Sequence, residues 1–242
     1  MSIRDLFERL PKAQKFVTPA QAHVKACLAG GREIIRKGDM PEGWEPLGAG
    51  YFSQVAAVDD CTVVKTGDSL DGGYVYAMWC LANQDLEAVP RIYAVQRVQY
   101  FEQEYDDMAG AYVRGKTQAE GYIVVMERLQ ELPKDNWGGL KEGCLKAQFD
   151  TIGAAQYKDN YYECGKHERT PCGDAMVRLR NYINAAIRAN GHSIDHQYFD
   201  MHYGNAMVRG DVLVITDPLA TVQGKTKGKF ARKRYTALRA QC

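Results

Sequence analysis

The first half of the chain has the residue pattern of a β-rich segment. Runs rich in Val, Ile and Tyr predict strands over residues 44–48, 53–58, 62–66, 91–98 and 121–127. The acidic, tyrosine-rich connection 99–120 predicts either an extended hairpin or a loop. One helix, Gly72–Asn83, interrupts the strands, with Asp71 as its N-terminal cap. The apolar residues on one face of that helix are Val75, Met78, Trp79 and Ala82.

Helical patterns precede and follow this segment. Residues 2–16 and 19–37 have partial apolar stripes, which predict two helices that break near Pro11 and at Pro19 and that support a sheet. After Leu129, residues 138–162 and Asp174–Asn190 predict two further helices. In the last of these, Met176, Leu179, Ile183 and Ile187 recur on one face, and Gly191 marks the end.

A short hairpin is predicted near the C-terminal end of the chain. The apolar runs Ala206–Val208 and Val212–Thr216 flank the turn Arg209–Asp211, whose central residue is glycine. Such a hairpin brings Asn205, at the start of its first strand, close to Asp217, at the end of its second.

Three oxygen-bearing side chains therefore converge at one end of this hairpin, since Asp200 lies in the loop that precedes it. Two such side chains can hold hard cations, and the third can accept a proton. Phosphoryl transfer needs this arrangement, because its chemistry consists mostly of positioning and charge neutralisation. The alternative is that Asp200 and Asp217 only cap turns.

Composition narrows the class of protein. At 242 residues, 45% hydrophobic and 25% charged, the chain suits one soluble globular domain with two lobes. No apolar run reaches the length of a membrane span, and the N-terminus lacks the apolar region of a signal peptide. The odd number of cysteines, 7, without paired spacing, predicts reduced thiols in the cytoplasm. Cys164, His167 and Cys172 form either a polar loop or a zinc site that would need a fourth ligand.

The net charge of +1 conceals a segregation of charge. No acidic residue follows Asp217, and the body of the chain is therefore net acidic. The basic residues of the tail are Lys225, Lys227, Lys229, Arg232, Lys233, Arg234 and Arg239. Two interpretations stay open: a solvated arm, or a docking arm for nucleic acid or an acidic protein partner.

Three earlier segments have the features of a nucleotide site. In "LGAGYFSQV", Leu47–Val55, glycines allow backbone N–H groups to approach phosphate oxygens closely. One strand later, "TVVK" places Val63 and Lys65 on one face, where the valine can contact an adenine and the ammonium the phosphates. "YIVVMERL", Tyr122–Leu129, is an apolar strand that runs into a charged connector. Each segment also has an ordinary structural interpretation: a hairpin turn, a solvated strand end and a buried strand.

Taken in order, these segments resemble the protein-kinase superfamily, and more narrowly the serine/threonine protein kinases that T7-like bacteriophages make early in infection. The matching pieces run from Leu47 to Pro218: "LGAGYFS", "VVK", "DGGYVYAMWC", "VPRIYAVQR", "FDMHYGN" and "VITDP". The resemblance implies an α+β, bilobal protein-kinase-like fold with a β-rich N-lobe and a reduced, mostly helical C-lobe. It also implies a single kinase domain, 1–242, divided into a helical extension 1–43, an N-lobe 44–126, a hinge 127–129, a minimal C-lobe 130–219 and a basic tail 220–242.

The resemblance also implies residue roles. Asp200 would accept the proton of the substrate hydroxyl, and Asn205 and Asp217 would hold Mg²⁺. Lys65 would bind the α- and β-phosphates of ATP. The remaining residues expected at the nucleotide are Gly48, Ala49, Gly50, Ser53, Val55, Val63, Met126, Glu127 and Leu129. Met126 would line the adenine pocket, and the backbone of the hinge would hydrogen-bond the base.

The chain departs from the superfamily pattern at several positions. Tyr198-Phe199-Asp200 replaces His-Arg-Asp, and Asp217-Pro218-Leu219 replaces Asp-Phe-Gly, so the usual regulatory Arg and Phe are missing. Gly72–Asn83 contains no Glu to pair with Lys65, for which Asp68 or Asp71 are candidates. His202 stands where eukaryotic kinases have Lys, and no Ala-Pro-Glu motif follows Leu219.

The resulting prediction is an ATP- and Mg²⁺-dependent kinase that phosphorylates Ser or Thr of host proteins in the cytoplasm of an infected bacterium, acting on transcription, RNA processing or defence. The alternatives are a small-molecule phosphotransferase, which His202 and the missing docking helices favour, and a pseudokinase that inhibits a host factor by binding. At Ser53 two hypotheses stay open: self-phosphorylation that switches the enzyme off, or a small residue tolerated in a turn.

Overall fold

The computed structural model describes residues 15–22, 41–49, 53–68, 72–133, 144–156, 158, 160, 163, 168–189 and 199–219. The chain divides into two compact units, one made of residues 1–77 and 91–128 and the other of residues 78–90 and 129–242. Helices and antiparallel sheets occur together, so the protein belongs to the α+β class.

The first unit is built on a five-stranded antiparallel sheet with the strand order β1-β2-β3-β5-β4. Its strands are Glu45–Ala49 (β1), Ser53–Asp59 (β2), Thr62–Asp68 (β3), Ile92–Asp106 (β4) and Ala111–Glu127 (β5). The five predicted strands are confirmed. Since β4 and β5 pair from Ile92↔Met126 out to Asp106↔Ala111, the connection 99–120 is an extended hairpin, and the alternative of a loop is wrong.

A helix covers one face of this sheet. Residues 15–22 are helical (α1), and Val17 and Ala20 are buried at 2% and 0% exposure. The hydrophobic cluster that they join contains Val64, Tyr93, Val98, Ile123 and Val125. The predicted support of a sheet by an N-terminal helix is therefore confirmed for these residues.

The predicted break at Pro19 is wrong, because the helix α1 runs through that residue. Proline removes one backbone donor, but its neighbours Val17 and Ala20 gain a buried contact with the sheet. Tertiary burial thus outweighs a local helix-breaking signal. Pro11 and most of the two predicted helices lie outside the described residues.

The helix Gly73–Ala82 (α2) confirms the prediction of a helix between β3 and β4. Its predicted apolar face is only partly right, because Val75 and Trp79 are buried, Met78 is half-buried and Ala82 is exposed. The helix is instead buried on most sides, since Tyr74, Tyr76 and Cys80 are also inaccessible. A helix that is apolar nearly all round has this environment. Asp71, its predicted cap, lies outside the described residues.

The second unit contains a three-stranded antiparallel sheet and two helices. The strands are Gln130–Glu131 (β6), Ala206–Arg209 (β7) and Val212–Ile215 (β8), in the order β6-β7-β8. The helices are Cys144–Ala155 (α3) and Pro171–Ala189 (α4). Both predicted helices and the predicted hairpin are confirmed.

The longer helix, α4, begins earlier than its predicted start at Asp174. Thr170 accepts a hydrogen bond from the Gly173 N–H at 3.1 Å, which makes it the N-cap, and Pro171 occupies the first helical position. The predicted apolar face is confirmed where it is described, because Met176, Leu179 and Ile183 are fully buried. The side chain of Ile187, and Gly191, lie outside the described residues.

Residues 78–90 group with the second unit through hydrogen bonds to the hairpin. The Ile215 N–H donates to the Ala88 carbonyl at 2.9 Å. The Arg209 guanidinium donates to the carbonyls of Glu87 and Val89 at 2.7 and 2.9 Å. The bond from Ile215 satisfies a backbone donor on the outer edge of β8, which would otherwise be exposed. Among the described helices, none is both long and apolar enough to cross a membrane.

Candidate functional site

The β7–β8 hairpin fixes the spacing of the candidate site. Its pairs run from Arg209↔Val212 at the turn to Ala206↔Ile215 at the open end. Gly210 has a φ of 60°. In the described part of the chain, only glycines have a positive φ. A glycine in this conformation at the first of two central residues is typical of the type II′ turn. The turn therefore sets the register that brings Asn205 beside the residues after Ile215.

The loop before the hairpin is held by backbone and side-chain hydrogen bonds. Tyr203–Asn205 form a 3₁₀ turn, which His202 caps by accepting the Gly204 N–H on Nδ1 at 3.0 Å. The Asn205 side chain then reaches back, and its Nδ2 donates to the Asp200 carbonyl at 2.5 Å. The two predicted site residues Asp200 and Asn205 are thus joined directly.

The third predicted residue, Asp217, is joined to the same loop. The Asn205 carbonyl accepts the N–H groups of Thr216 and Asp217 at 3.0 and 3.4 Å. The Asp200 N–H donates to the Pro218 carbonyl at 2.8 Å, next to a β-bridge between Phe199 and Leu219. Asp200, Asn205 and Asp217 therefore converge at the open end of the hairpin, as the sequence predicts.

Helix α3 supports both ends of this hairpin. Gln148, which is buried, donates from Nε2 to the Asp211 carbonyl at 3.1 Å and accepts the Leu213 N–H on Oε1 at 3.0 Å. The next residue, Phe149, packs its ring against Tyr203, with centroids 4.5 Å apart. Neither role can be predicted from local sequence patterns, because both contacts join segments more than fifty residues apart.

The three side chains differ in exposure and in their remaining hydrogen-bonding capacity. Asp200 is exposed, and its backbone N–H and carbonyl are both engaged, so its main chain is held in place. Because Asn205 uses its Nδ2 on the Asp200 carbonyl, its remaining side-chain atom for a ligand is the oxygen. Asp217 has one buried carboxylate oxygen, Oδ1, that accepts no hydrogen bond, although the residue takes part in other interactions.

This set of oxygen donors fits Mg²⁺. Magnesium is usually held by one or two protein oxygens together with substrate phosphates and water, rather than by a full protein cage. Asn205 and Asp217 could supply those two oxygens. In the described residues, no group of three or more His, Cys, Asp or Glu side chains is placed to hold a metal ion. Of the considered zinc ligands, Cys164 and His167 lie outside these residues, and the buried Cys172 thiol donates to the Gln148 carbonyl.

The first unit brings together the other group of predicted residues on one face of its sheet. The register pairs Val55 with Lys65 and Lys65 with Val124, and one step further along it pairs Val63 with Met126. Paired residues share a face, as do residues two apart on one strand. This face is opposite to Val64 and Val125, which pack against α1. Val55, Val63, Lys65 and Met126 are therefore neighbours on the face that α1 does not cover.

The described residues of the glycine-rich segment are the paired ends of β1 and β2, as the predicted hairpin requires. Gly48 and Ala49 end β1 and pair with Val55 and Gln54 of β2. A methyl group at Gly48 would meet nothing within 4 Å, so the space in front of this backbone is open. Ser53, at the start of β2, is buried at 8% exposure. Gly50 lies outside the described residues.

The predicted hinge has two of its three backbone donors engaged. The Glu127 N–H donates to the Arg91 carbonyl at 3.0 Å, and the Arg128 N–H donates to the Cys61 carbonyl at 2.8 Å. The Glu127 carboxylate also accepts the Arg91 N–H at 2.6 Å. Within the described residues, the Leu129 N–H has no hydrogen-bond partner. If this segment binds a base, the donor is therefore Leu129 rather than Glu127 or Arg128.

The two groups of residues belong to different units of the chain: Gly48, Val63 and Lys65 to the first, and Asp200, Asn205 and Asp217 to the second. No protein-family model matches the chain, and a search of curated proteins found no match.

Proposed function

We propose that this protein is an ATP-dependent kinase that transfers the γ-phosphoryl group to Ser or Thr hydroxyls of proteins. The observation that supports the proposal most is the convergence of Asp200, Asn205 and Asp217 at the open end of one hairpin. Two hydrogen bonds join them there, from Asn205 Nδ2 to the Asp200 carbonyl and from the Asp217 N–H to the Asn205 carbonyl. These bonds use main-chain groups of the two acids, so neither carboxylate is taken up by them. A base, an amide oxygen and a second carboxylate are the groups that phosphoryl transfer requires.

In the proposed reaction, the Asp200 carboxylate accepts the proton of the substrate hydroxyl. The hydroxyl oxygen forms a bond to the γ-phosphorus, the bond from that phosphorus to the bridging oxygen breaks, and ADP leaves. A positioned base of this kind contributes about 10²–10⁴-fold to the rate. Asn205 and Asp217 would hold Mg²⁺, which supplies neutralisation of phosphate charge when bound.

The first unit would bind the nucleotide. Lys65 would place its ammonium at the α- and β-phosphates, and Val55, Val63 and Met126, which share its sheet face, would contact the adenine. Gly48 and Gly50 would cover the phosphates, and the Leu129 N–H would donate to the base. This assignment includes the bilobal kinase-like architecture that the sequence resemblance implies, with the two units as its lobes.

The test is phosphorylation of proteins in a bacterial lysate with labelled ATP and Mg²⁺. Asp200→Asn and Asp217→Asn are expected to lose nearly all activity, by at least about 10²-fold for the base. Lys65→Ala is expected to be severely weakened. Asp211→Asn is the matched control, because it changes an exposed acid at the other end of the same hairpin and should leave activity unchanged. Wild-type turnover by Asp200→Asn would refute the assignment of the base.

A small-molecule phosphotransferase is the second candidate, and His202 favours it. Its exposed ring is oriented by the Gly204 N–H, so Nε2 faces away from that bond and can meet a substrate two residues from Asp200. Label in protein bands supports the protein kinase, whereas label in low-molecular-weight products supports this alternative. Absence of transfer together with tight ATP binding would indicate a pseudokinase that acts by occupancy.

The cellular targets would be host bacterial proteins, as the resemblance to phage kinases implies. Phosphoproteomics of bacteria that express the wild type or Asp200→Asn would identify them. Phosphosites that appear in both strains would not be products of this protein.

A further inference from the structure

A buried tyrosine lies next to the lysine of the proposed nucleotide site. Tyr122, which has no exposed surface, pairs with Gly67 across β5 and β3, one step along the sheet face from the pair Lys65↔Val124. It lies on the same face as Lys65, because it is two residues from Val124 and Gly67 is two residues from Lys65. The side chains of Tyr122 and Lys65 therefore project from the same face of the sheet, on neighbouring residue pairs.

The ring of Tyr122 occupies the space that a side chain at position 67 would need. A methyl group at Gly67 would lie 2.5 to 2.6 Å from Cε1, Cζ and Oη of the ring. Real side chains essentially never approach so closely, so only glycine at position 67 lets the ring cross β3. A tilted contact with Tyr74, at 6.4 Å between centroids, holds the ring from a second direction.

The phenol oxygen and the ammonium meet at the beginning of α2. A methyl group at Gly73 would lie 3.0 Å from Lys65 Nζ, and closer still to Tyr122 Oη. Both polar atoms therefore lie against Gly73, where a side chain would displace them. The residues of α2, Gly73–Ala82, include no acidic residue.

A phenol oxygen is a suitable hydrogen-bond acceptor for the lysine at the beginning of α2. An ammonium has three donors and no acceptor, and a phenol oxygen can accept one of them. The N-terminus of a helix carries partial positive charge, which by itself disfavours a cation there. A phenol oxygen that accepts from the ammonium offsets this repulsion.

We propose that Tyr122 is a positioning residue, whose hydroxyl aims the Lys65 ammonium at the phosphates of the nucleotide in the role that a helix carboxylate fills elsewhere. Gly67 and Gly73 are the positions that make room for it. The inference rests on the proposed function, since it assigns the partner of Lys65 within the same nucleotide site. Asp68 and Asp71 are the other candidates for the partner of Lys65. Those two hypotheses require neither the Tyr122 ring nor the glycines at positions 67 and 73.

The experiment measures kcat and the KM for ATP in the presence of Mg²⁺. Tyr122→Phe removes only the hydroxyl and is expected to raise the KM about tenfold with a smaller change in kcat, because a hydrogen bond to a charged group is lost. Tyr93→Phe is the matched control. It removes a buried hydroxyl in the cluster on the opposite side of the sheet, at α1, and should leave both constants unchanged.

A double-mutant cycle separates positioning from general loss of structure. If Tyr122 acts through Lys65, the double variant Tyr122→Phe/Lys65→Ala has the KM of Lys65→Ala alone. Gly73→Ala is a second variant that should raise the KM, because the added methyl group approaches Tyr122 Oη at least as closely as one at Gly67 would and must displace both polar atoms.

The outcomes distinguish the two proposals. If the wild type transfers no phosphate and Lys65→Ala does not alter ATP binding, the proposed function fails and this inference fails with it. If Lys65→Ala impairs an active wild type but Tyr122→Phe and Gly73→Ala do not, the inference alone is overturned. Additive effects of Tyr122→Phe and Lys65→Ala also overturn it.

Discussion

Replacing Gln148 by methionine should loosen the hairpin that carries the candidate site. Gln148 is 8% exposed, and its amide makes two hydrogen bonds from α3 to the turn end of β8. Methionine has nearly the same volume and fits a helix equally well. The substitution therefore removes the two bonds while keeping most of the packing.

The two bonds differ in what their loss costs. Leu213 is fully buried, so its N–H would remain without an acceptor, at a cost of about 1–3 kcal/mol. The Asp211 carbonyl belongs to an exposed turn residue, and water can replace the lost donor there. We expect the free energy of unfolding to fall by about 2 kcal/mol. For a chain of this size, the melting temperature should fall by about 4–8 °C.

The assay combines thermal unfolding with hydrogen exchange at the Leu213 amide, which reports on the second unit alone. Exchange at this amide should accelerate in Gln148→Met. Gln148→Glu separates the two bonds, because it keeps an acceptor for the Leu213 N–H and removes the donor to Asp211. Gln130→Met, on an exposed residue of β6, is the control and should change stability by less than about 0.5 kcal/mol.

Unchanged stability and unchanged exchange at Leu213 in Gln148→Met would refute the reasoning that one side-chain amide fixes the turn. The same variant bears on function. If the hairpin positions Asn205 and Asp217, its loosening should lower phosphoryl transfer more steeply than it lowers the fraction of folded protein. Parallel losses of activity and folded protein would mean that the open end of the hairpin is held without Gln148.

Three further predictions can be checked on the isolated protein. Gly210→Ala should destabilise the hairpin by about 1 kcal/mol, because its φ of 60° disfavours a β-carbon, whereas Gly210→Asn should cost less; equal melting temperatures for the two would contradict this. Burial raises the pKa of the Cys172 thiol above the ordinary value of 9.0, so the unfolded chain loses this proton first and stability should fall as the pH rises past that value. This loss of stability at high pH should be smaller in Cys172→Ser. Identical pH profiles of unfolding for the wild type and the variant would contradict the assignment to this thiol. Finally, Ser53 is buried at 8% exposure, which favours the hypothesis of a small tolerated residue; mass spectrometry after incubation with ATP should find no phosphate in the Gly48–Val55 peptide, and a phosphorylated peptide would favour self-phosphorylation instead.

Local patterns along the chain determined most of the elements. Strands β1 to β5, the helices α2 to α4 and the β7–β8 hairpin follow from runs of Val, Ile and Tyr, from helical spacing and from Gly210 at the turn. These signals act over a few residues, so they can be recognised without knowing what packs against them. The convergence of Asp200, Asn205 and Asp217 follows for the same reason, because a two-residue hairpin fixes which residues lie opposite each other.

Only the tertiary structure decided which partners these elements have. Pro19 stays within α1 because Val17 and Ala20 are buried against the sheet, and this contact joins residues far apart in sequence. Gln148 and Phe149 support the hairpin across more than fifty residues, and the ring of Tyr122 occupies space that side chains at Gly67 and Gly73 would need. Periodicity shows which side of an element is apolar, but it carries no information on what that side meets. Packing and close approach depend on the relative placement of distant segments, and this is why they appear only in the folded chain.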